Sequence, residues 1–121
     1  MVKIIIDHRE NSSGIIRELA KDNEIEIKQL AIADFVIEGN NIEGNDQLIG
    51  IERKTKEDFL NSIIDKRIIN QLSALRENFK HPILIIEGTQ NLYQMRNFHP
   101  NAIRGMLAAI AIDFQVPILY T

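Results

Sequence analysis

The sequence contains no cysteine. That excludes disulfide bonds and a thiolate zinc site, and it suits a reducing compartment. It also lacks any apolar run of roughly 18 residues, so no segment reads as a membrane-spanning helix. The first apolar run, Ile4-Ile5-Ile6, is cut off at once by Asp7, which is not the pattern of a secretory signal. Positive charge is not in excess: 14 Lys and Arg against 17 Asp and Glu give a net charge of −3. A free-standing, high-affinity nucleic-acid binder needs a basic surface that this composition does not offer. Affinity for a polyanion would have to come from a local patch, from dimerisation or from another module. What is present is 121 residues, 45% apolar and 26% charged. That is enough to bury one core and too apolar for disorder. The expectation is one domain over residues 1–121, in the cytoplasm with the chromosome.

The most informative stretch is Leu48-Ile49-Gly50-Ile51-Glu52-Arg53-Lys54-Thr55-Lys56-Glu57-Asp58, an apolar run that ends in alternating charge and leads into a helix start. In a strand, side chains alternate faces, so Glu52 and Lys54 point the same way, about 7 Å apart along the chain, and Arg53 points the other way. An acid beside a base at a strand end suits phosphodiester hydrolysis, the acid holding a divalent metal and the ammonium the attacking water or the developing charge on phosphate. One carboxylate holds a metal poorly. The nearest second candidate is Asp34, on the strand-like Ala33-Asp34-Phe35-Val36-Ile37-Glu38, joined to the first stretch by the turn-rich Gly39-Asn40-Asn41 and Gly44-Asn45-Asp46. The competing reading of Glu-x-Lys on a strand is a solvated ion pair.

Elsewhere the chain alternates strands and helices. Val2–Ile6 reads as a strand buried on both faces, with Asp7 and Arg9 at its carboxyl end, where open α/β sheets place ligands. Asp7 can equally cap or pair with Arg9. Asn11-Ser12-Ser13-Gly14 supplies cap residues for a helix from about Gly14 to Asp22, and Glu24–Leu30 alternates as a half-buried strand. Thr55 and Asp58 form a capping pair, which competes with a catalytic role for Asp58. A second helix, from about Ile68 to Phe79, turns Ile69, Leu72, Leu75 and Phe79 inward. Arg67 and Gln71 lie one turn apart, toward the Glu52 site or on a solvated face. Ile83–Ile86 and Val116–Tyr120 are further strands. Pro100 opens the last helix, with His99 as a cap or surface residue before it. That helix carries Ile103, Leu107, Ile110 and Phe114 at three- and four-residue steps, widened by Met106, Ala109 and Ile112. A helix apolar on more than one side must be covered twice, by the sheet and by a second subunit, unless one covered face suffices.

Glu52-Arg53-Lys54-Thr55-Lys56-Glu57-Asp58 reads as E-R-K-x-x-x-D and resembles the signature of the XPF family of structure-specific endonucleases, archaeal members and the nuclease half of Hef above all. The family's upstream G-D is Ala33-Asp34, with Ala in place of Gly, tolerable if the backbone at Ala33 has φ below zero. Ile6-Asp7-His8-Arg9-Glu10 resembles the family's D-x-R-E. Asp65-Lys66-Arg67 with Gln71 resembles its D-G-R and downstream Gln, Ile85-Ile86-Glu87-Gly88 its next strand, and residues 102–118 its closing helix and strand.

The resemblance implies an α/β, restriction-endonuclease-like fold, a central mixed sheet of five or six strands with helices on both sides. It implies a Mg2+- or Mn2+-dependent endonuclease acting on branched DNA such as 3′ flaps and forks. Asp34 and Glu52 would ligate the metal, with the Arg53 carbonyl as a third ligand. Lys54 would orient water and offset charge, and Asp58 and Asp7 would stand behind the ligands or support a second ion. Arg9 and Arg53 would contact phosphate or hold the acidic cluster, and Arg67 and Gln71 would meet DNA. It further implies a homodimer through the closing region, through Ile103, Leu107, Ile110, Phe114 and Ile118. A helicase or helix-hairpin-helix module often accompanies such domains and is not in this chain. The rival readings are a catalytically silent scaffold of the same fold and a junction resolvase.

Overall fold

A computed structural model of the protein describes residues 2–10, 14–40, 42–44, 46–95 and 99–121. Its strands are β1 (Lys3–Asp7), β2 (Glu24–Lys28), β3 (Phe35–Asn40), β4 (Asp46–Thr55), β5 (His81–Glu87) and β6 (Ile118–Tyr120). They form one sheet in the order β2-β1-β3-β4-β5-β6. β1 runs parallel to β2 and antiparallel to β3, β3 is antiparallel to β4, and β4, β5 and β6 are mutually parallel. The α-helices among the described residues are α1 (Ile15–Leu19), α2 (Lys56–Ile64), α3 (Arg67–Asn78) and α4 (Pro100–Ile112). This is the expected mixed sheet with helices on both sides.

Strand alternation divides the core in two. Ile5, Val36, Leu84 and Ile86 face Phe59, Leu60, Ile68, Leu72, Leu75, Ile103 and Ile110, so α2, α3 and α4 cover one side of the sheet. Ile4, Ile6, Phe35 and Ile51 face the other side, where Ile15, Ile16 and Leu19 of the short α1 pack. Consecutive Ile4, Ile5 and Ile6 are all buried, which accounts for the lack of alternation in β1.

The elements end for identifiable reasons. Thr55 caps α2, its Oγ1 accepting the Asp58 N–H at 3.1 Å. His99 Nδ1 accepts the Asn101 N–H at 3.1 Å, so His99 caps α4, with Pro100 in the first turn. The strand expected to reach Leu30 stops at Lys28, because the Leu30 N–H leaves the ladder for Asp7 Oδ1 at 2.8 Å. The helix expected over Gly14–Asp22 is only Ile15–Leu19. Of its expected cap residues, Asn11 to Ser13 lie outside the described residues, as do Asn41 and Asn45 of the β3–β4 turn. In α3 it is Ile68 that is fully buried, whereas Ile69 is exposed. The last strand is shorter than expected because the Val116 N–H bonds to Ile110 O at 3.0 Å, outside the sheet. Ala33 departs most from expectation: its φ is +79°, in the left-handed region, and it is buried.

Candidate active site

The antiparallel pairing of β3 with β1 and β4 brings the start of β3 to the carboxyl ends of the other two. Two backbone–backbone hydrogen bonds and one from backbone to side chain set this junction. Asp34 N–H donates to Ile51 O at 2.8 Å, Asp7 N–H donates to Asp34 O at 2.9 Å, and Arg53 N–H donates to the Asp34 carboxylate Oδ2 at 2.8 Å. The last bond fixes the carboxylate of Asp34 from the strand that carries Glu52 and Lys54. An open cleft of about 320 Å³ results, lined by Arg9, Asp34 and Glu52 from the strand ends and by Asn70, Gln71 and Ala74 from α3. A larger depression of about 860 Å³ at the opposite end of the sheet mixes acids and bases, among them Lys3, Glu38, Asp46 and Lys80, without converging groups. Chemistry rather than size selects the smaller cleft.

Burial raises the pKa of Glu52 to about 7, and repulsion from Asp34 adds to it against the pull of Lys54 and Arg9. Asp34 is also raised, first by burial, against the Arg53 N–H, Arg9 and Lys54. Two carboxylates thus share a confined space and resist ionising together. Lys54 is buried, and its Nζ lies 3.9 Å from Glu52 Oε1. Gln71 Oε1 is buried without a hydrogen-bond partner.

Asp7 is fully buried and holds Arg9. Its Oδ2 accepts the Arg9 backbone N–H at 3.2 Å and the Arg9 Nε, while Oδ1 takes the Leu30 N–H. Burial opposes the charge on Asp7, yet these bonds outweigh it and lower its pKa. The pairing alternative raised for Asp7 is therefore what the geometry contains, and it leaves the Arg9 side chain on the cleft wall.

Not every sequence candidate converges. Arg53 points to the opposite face of the sheet, where Nη1 donates to Glu10 Oε2 at 2.7 Å and Nη2 to Glu87. Its guanidinium therefore clamps β4 to β5 and to the turn after β1, and does not hold the Asp34–Glu52 pair. Asp58 is exposed and is not among the cleft residues, whereas its backbone N–H is the one capped by Thr55. Arg67 is exposed, with Nε donating to Asp65 Oδ2 at 2.6 Å. Glu10 and Glu87 lie within the stretches matched to the family, but the sequence assigned neither of them a role beside Arg53. The acid closing β5 in Ile85-Ile86-Glu87 was the available signal, but only the pairing of β4 with β5 puts it beside Arg53.

A family model described as the ERCC4 domain matches residues 6–121. The chain belongs to the ERCC4 domain family. An ERCC4-domain relative from Saccharolobus solfataricus, named 3′-flap repair endonuclease Xpf, is 35% identical over 123 residues, covering 100% of this chain and 49% of that protein. A Methanocaldococcus jannaschii protein, provisionally named an ATP-dependent RNA helicase, is 40% identical over 121 residues, covering 99% of this chain and 14% of its own length. The ERCC4 domain thus spans half or less of these curated relatives. Among solved structures, XPF from Aeropyrum pernix superposes with a TM-score of 0.80 at 26% identity, over 98% of this chain and 53% of that one. The same protein in complex with DNA gives 0.76 at 26% identity, over 100% and 56%. The resemblance to XPF nucleases read from E-R-K-x-x-x-D, and the restriction-endonuclease-like fold it implied, both hold.

Proposed function

We propose that this ERCC4 domain hydrolyses phosphodiester bonds in branched DNA, 3′ flaps and forks, with a divalent metal held by Asp34 and Glu52. The observation that carries the reading is the convergence of Asp34, Glu52 and Arg9 in one cleft, with Lys54 beside Glu52. The names of the relatives support the substrate: one is called a 3′-flap repair endonuclease, and one XPF structure is a complex with DNA.

No group of three acidic, histidine or cysteine side chains forms a metal cluster among the described residues. The donor chemistry nevertheless fits a hard cation. Two half-buried carboxylates repel each other, and Gln71 offers an unpaired amide oxygen on the same wall. The Arg53 carbonyl completes an all-oxygen set in this reading. A bound Mg2+ or Mn2+ would supply a Lewis acid for the phosphoryl oxygen and lower the pKa of its water.

The remaining work falls to the chain. Asp34 is oriented by the Arg53 N–H, which leaves its second oxygen free. Lys54 Nζ, desolvated beside Glu52, offsets charge developing on phosphate. Arg9, pinned by Asp7, takes a phosphate oxygen at the cleft wall. Gln71 and, once freed from Asp65, Arg67 meet the strand as it passes α3. Asp58 stands outside this arrangement, as a carboxylate near the strand end.

Two copies of the chain form the working unit in this reading, through the outer face of α4 and β6. Ile103 and Ile110 are fully buried in the chain's own core and do not contribute. Ile112 and Tyr120 are exposed there, with Leu107, Phe114 and Ile118 partly buried, while the exposed Leu119 lies on the opposite face of the β6 edge. Alanine at Asp34 or at Glu52 should abolish metal-dependent cleavage of a labelled flap while the melting temperature holds or rises, since each change removes one of two repelling acids. Cleavage retained in both variants would overturn the assignment of the site.

A further inference from the structure

For a domain of net charge −3 that acts on a polyanion, the free cations matter. Most are tied up within the chain. Arg9 is bound to Asp7, Arg53 to Glu10 and Glu87, Arg67 to Asp65, and Lys56 to Gln90 O. Among the described residues, only Arg17, Lys66 and Lys80 have side chains without an ion pair, hydrogen bond or ring contact to another described residue. Arg17 lies on α1, across the sheet from the cleft, and Lys80 lies at the far end of the sheet.

Lys66 stands at the elbow between α2 and α3, immediately before the first residue of α3. One turn further, about 6 Å along the helix axis, Asn70 and Gln71 line the catalytic cleft. The elbow also feels the buried ammonium of the site, because Lys54 helps to lower the pKa of Asp65, after the Arg67 bonds. Lys66 is exposed and has φ +66°, a left-handed conformation that glycine adopts without cost and a side chain does not. A residue held there against local preference suggests that its side chain is used.

We propose that Lys66 binds a backbone phosphate of the DNA at the rim of the cleft, adding to the wall formed by Arg9 a cation that no partner among the described residues neutralises. The inference rests on the nuclease reading above and names one residue of its DNA contact. A lysine on a phosphate releases about one counterion, so it adds about one unit to the salt dependence of binding without changing the chemistry at the metal.

The test is fluorescence anisotropy of a labelled flap in EDTA, where cleavage is blocked, from 50 to 200 mM KCl, with Lys66→Gly, Lys66→Gln and the control Lys80→Gln. Both Lys66 variants should flatten the slope of log Kd against log salt by about 0.9 and weaken binding at the low-salt end by roughly threefold or more. Lys66→Gly should keep or raise the melting temperature, since it relieves the left-handed backbone, which separates lost contact from lost folding. Lys80→Gln removes the same charge and should leave the slope alone. An unchanged slope in both Lys66 variants, or an equal change in Lys80→Gln, would overturn the proposal. Should the unsubstituted protein cut flaps while the Lys66 variants bind as it does, only this inference fails. If the unsubstituted protein neither binds nor cuts, the nuclease reading fails with it.

Discussion

Glu52 sits where the electrostatics of the site are most exposed to measurement. Its pKa rises from the ordinary 4.5 to about 7, through burial first and then Asp34. The folded protein therefore holds this proton more tightly than the unfolded chain. Below about pH 4.5 both states are protonated and the group costs nothing. Between pH 4.5 and 7 the unfolded chain gives up its proton first, so stability falls as pH rises, by an amount on the order of 3 kcal/mol. Denaturant unfolding at pH 5 and pH 8 in EDTA should show this loss, and Glu52→Gln should remove most of it. A Glu52→Gln protein with the unsubstituted pH slope would place the strain elsewhere. Added Mn2+ at pH 8 should restore stability by preferential binding to the folded state, and Asp34→Ala should abolish that gain. Ala33, next to Asp34, carries a different strain. Its φ of +79° and its burial leave no room for a branched side chain. Ala33→Val should cost about 2 kcal/mol or more in chemical denaturation. Ala33→Gly relieves the backbone but loses a buried methyl and adds freedom to the unfolded chain, so it should stay within about 1 kcal/mol.

At the scale of elements, β4 carries Glu52 and Lys54 of the proposed site and is held from three sides. β3 fixes Asp34 against it, the Glu10–Arg53–Glu87 clamp fastens its back, and Phe79 packs over Gly50. A Cβ at Gly50 would come within 2.4 Å of the Phe79 ring, so Gly50→Ala must displace an aromatic side chain. The expected cost is about 1–3 kcal/mol, with cleavage reduced as the strand moves, read by unfolding and turnover together. Much of this element was legible in the sequence. Alternation alone put Glu52 and Lys54 on one face and Arg53 on the other, and Thr55 with Asp58 announced the helix start. Other features were not legible, because they depend on neighbours far along the chain. The partners of Arg53 lie 43 and 34 residues away. Leu30 leaves the sheet for a carboxylate 23 residues upstream. The condition that made Ala33 tolerable in place of the family's Gly, a φ below zero, is not met, since a single residue's sign of φ follows from the junction of β1, β3 and β4 and not from its own propensity. Similarly, helical periodicity found the apolar stripe of α4 but could not say that Ile103 and Ile110 spend it on the chain's own sheet.

For the whole molecule, the acidic balance and the exposed Ile112 and Tyr120 bear on how such a domain would engage DNA. A second copy covering that face would double the cationic contacts without changing the net charge per chain. Sedimentation at micromolar concentration should give twice 13.9 kDa, and Ile112→Glu should return it to a single chain. A single-chain mass before substitution would remove the dimer from the account. The central claim is that Asp34, Glu52, Lys54 and Arg9 form a metal-dependent site for branched DNA, and the most direct measurement is cleavage of labelled flap, fork, four-way and plain duplex DNA with Mg2+, Mn2+ or EDTA. Flaps and forks should be cut with either metal, nothing in EDTA, and plain duplex little. Cutting that persists in EDTA, symmetrical cutting confined to four-way junctions, or no cutting of any substrate by the folded protein would contradict that claim.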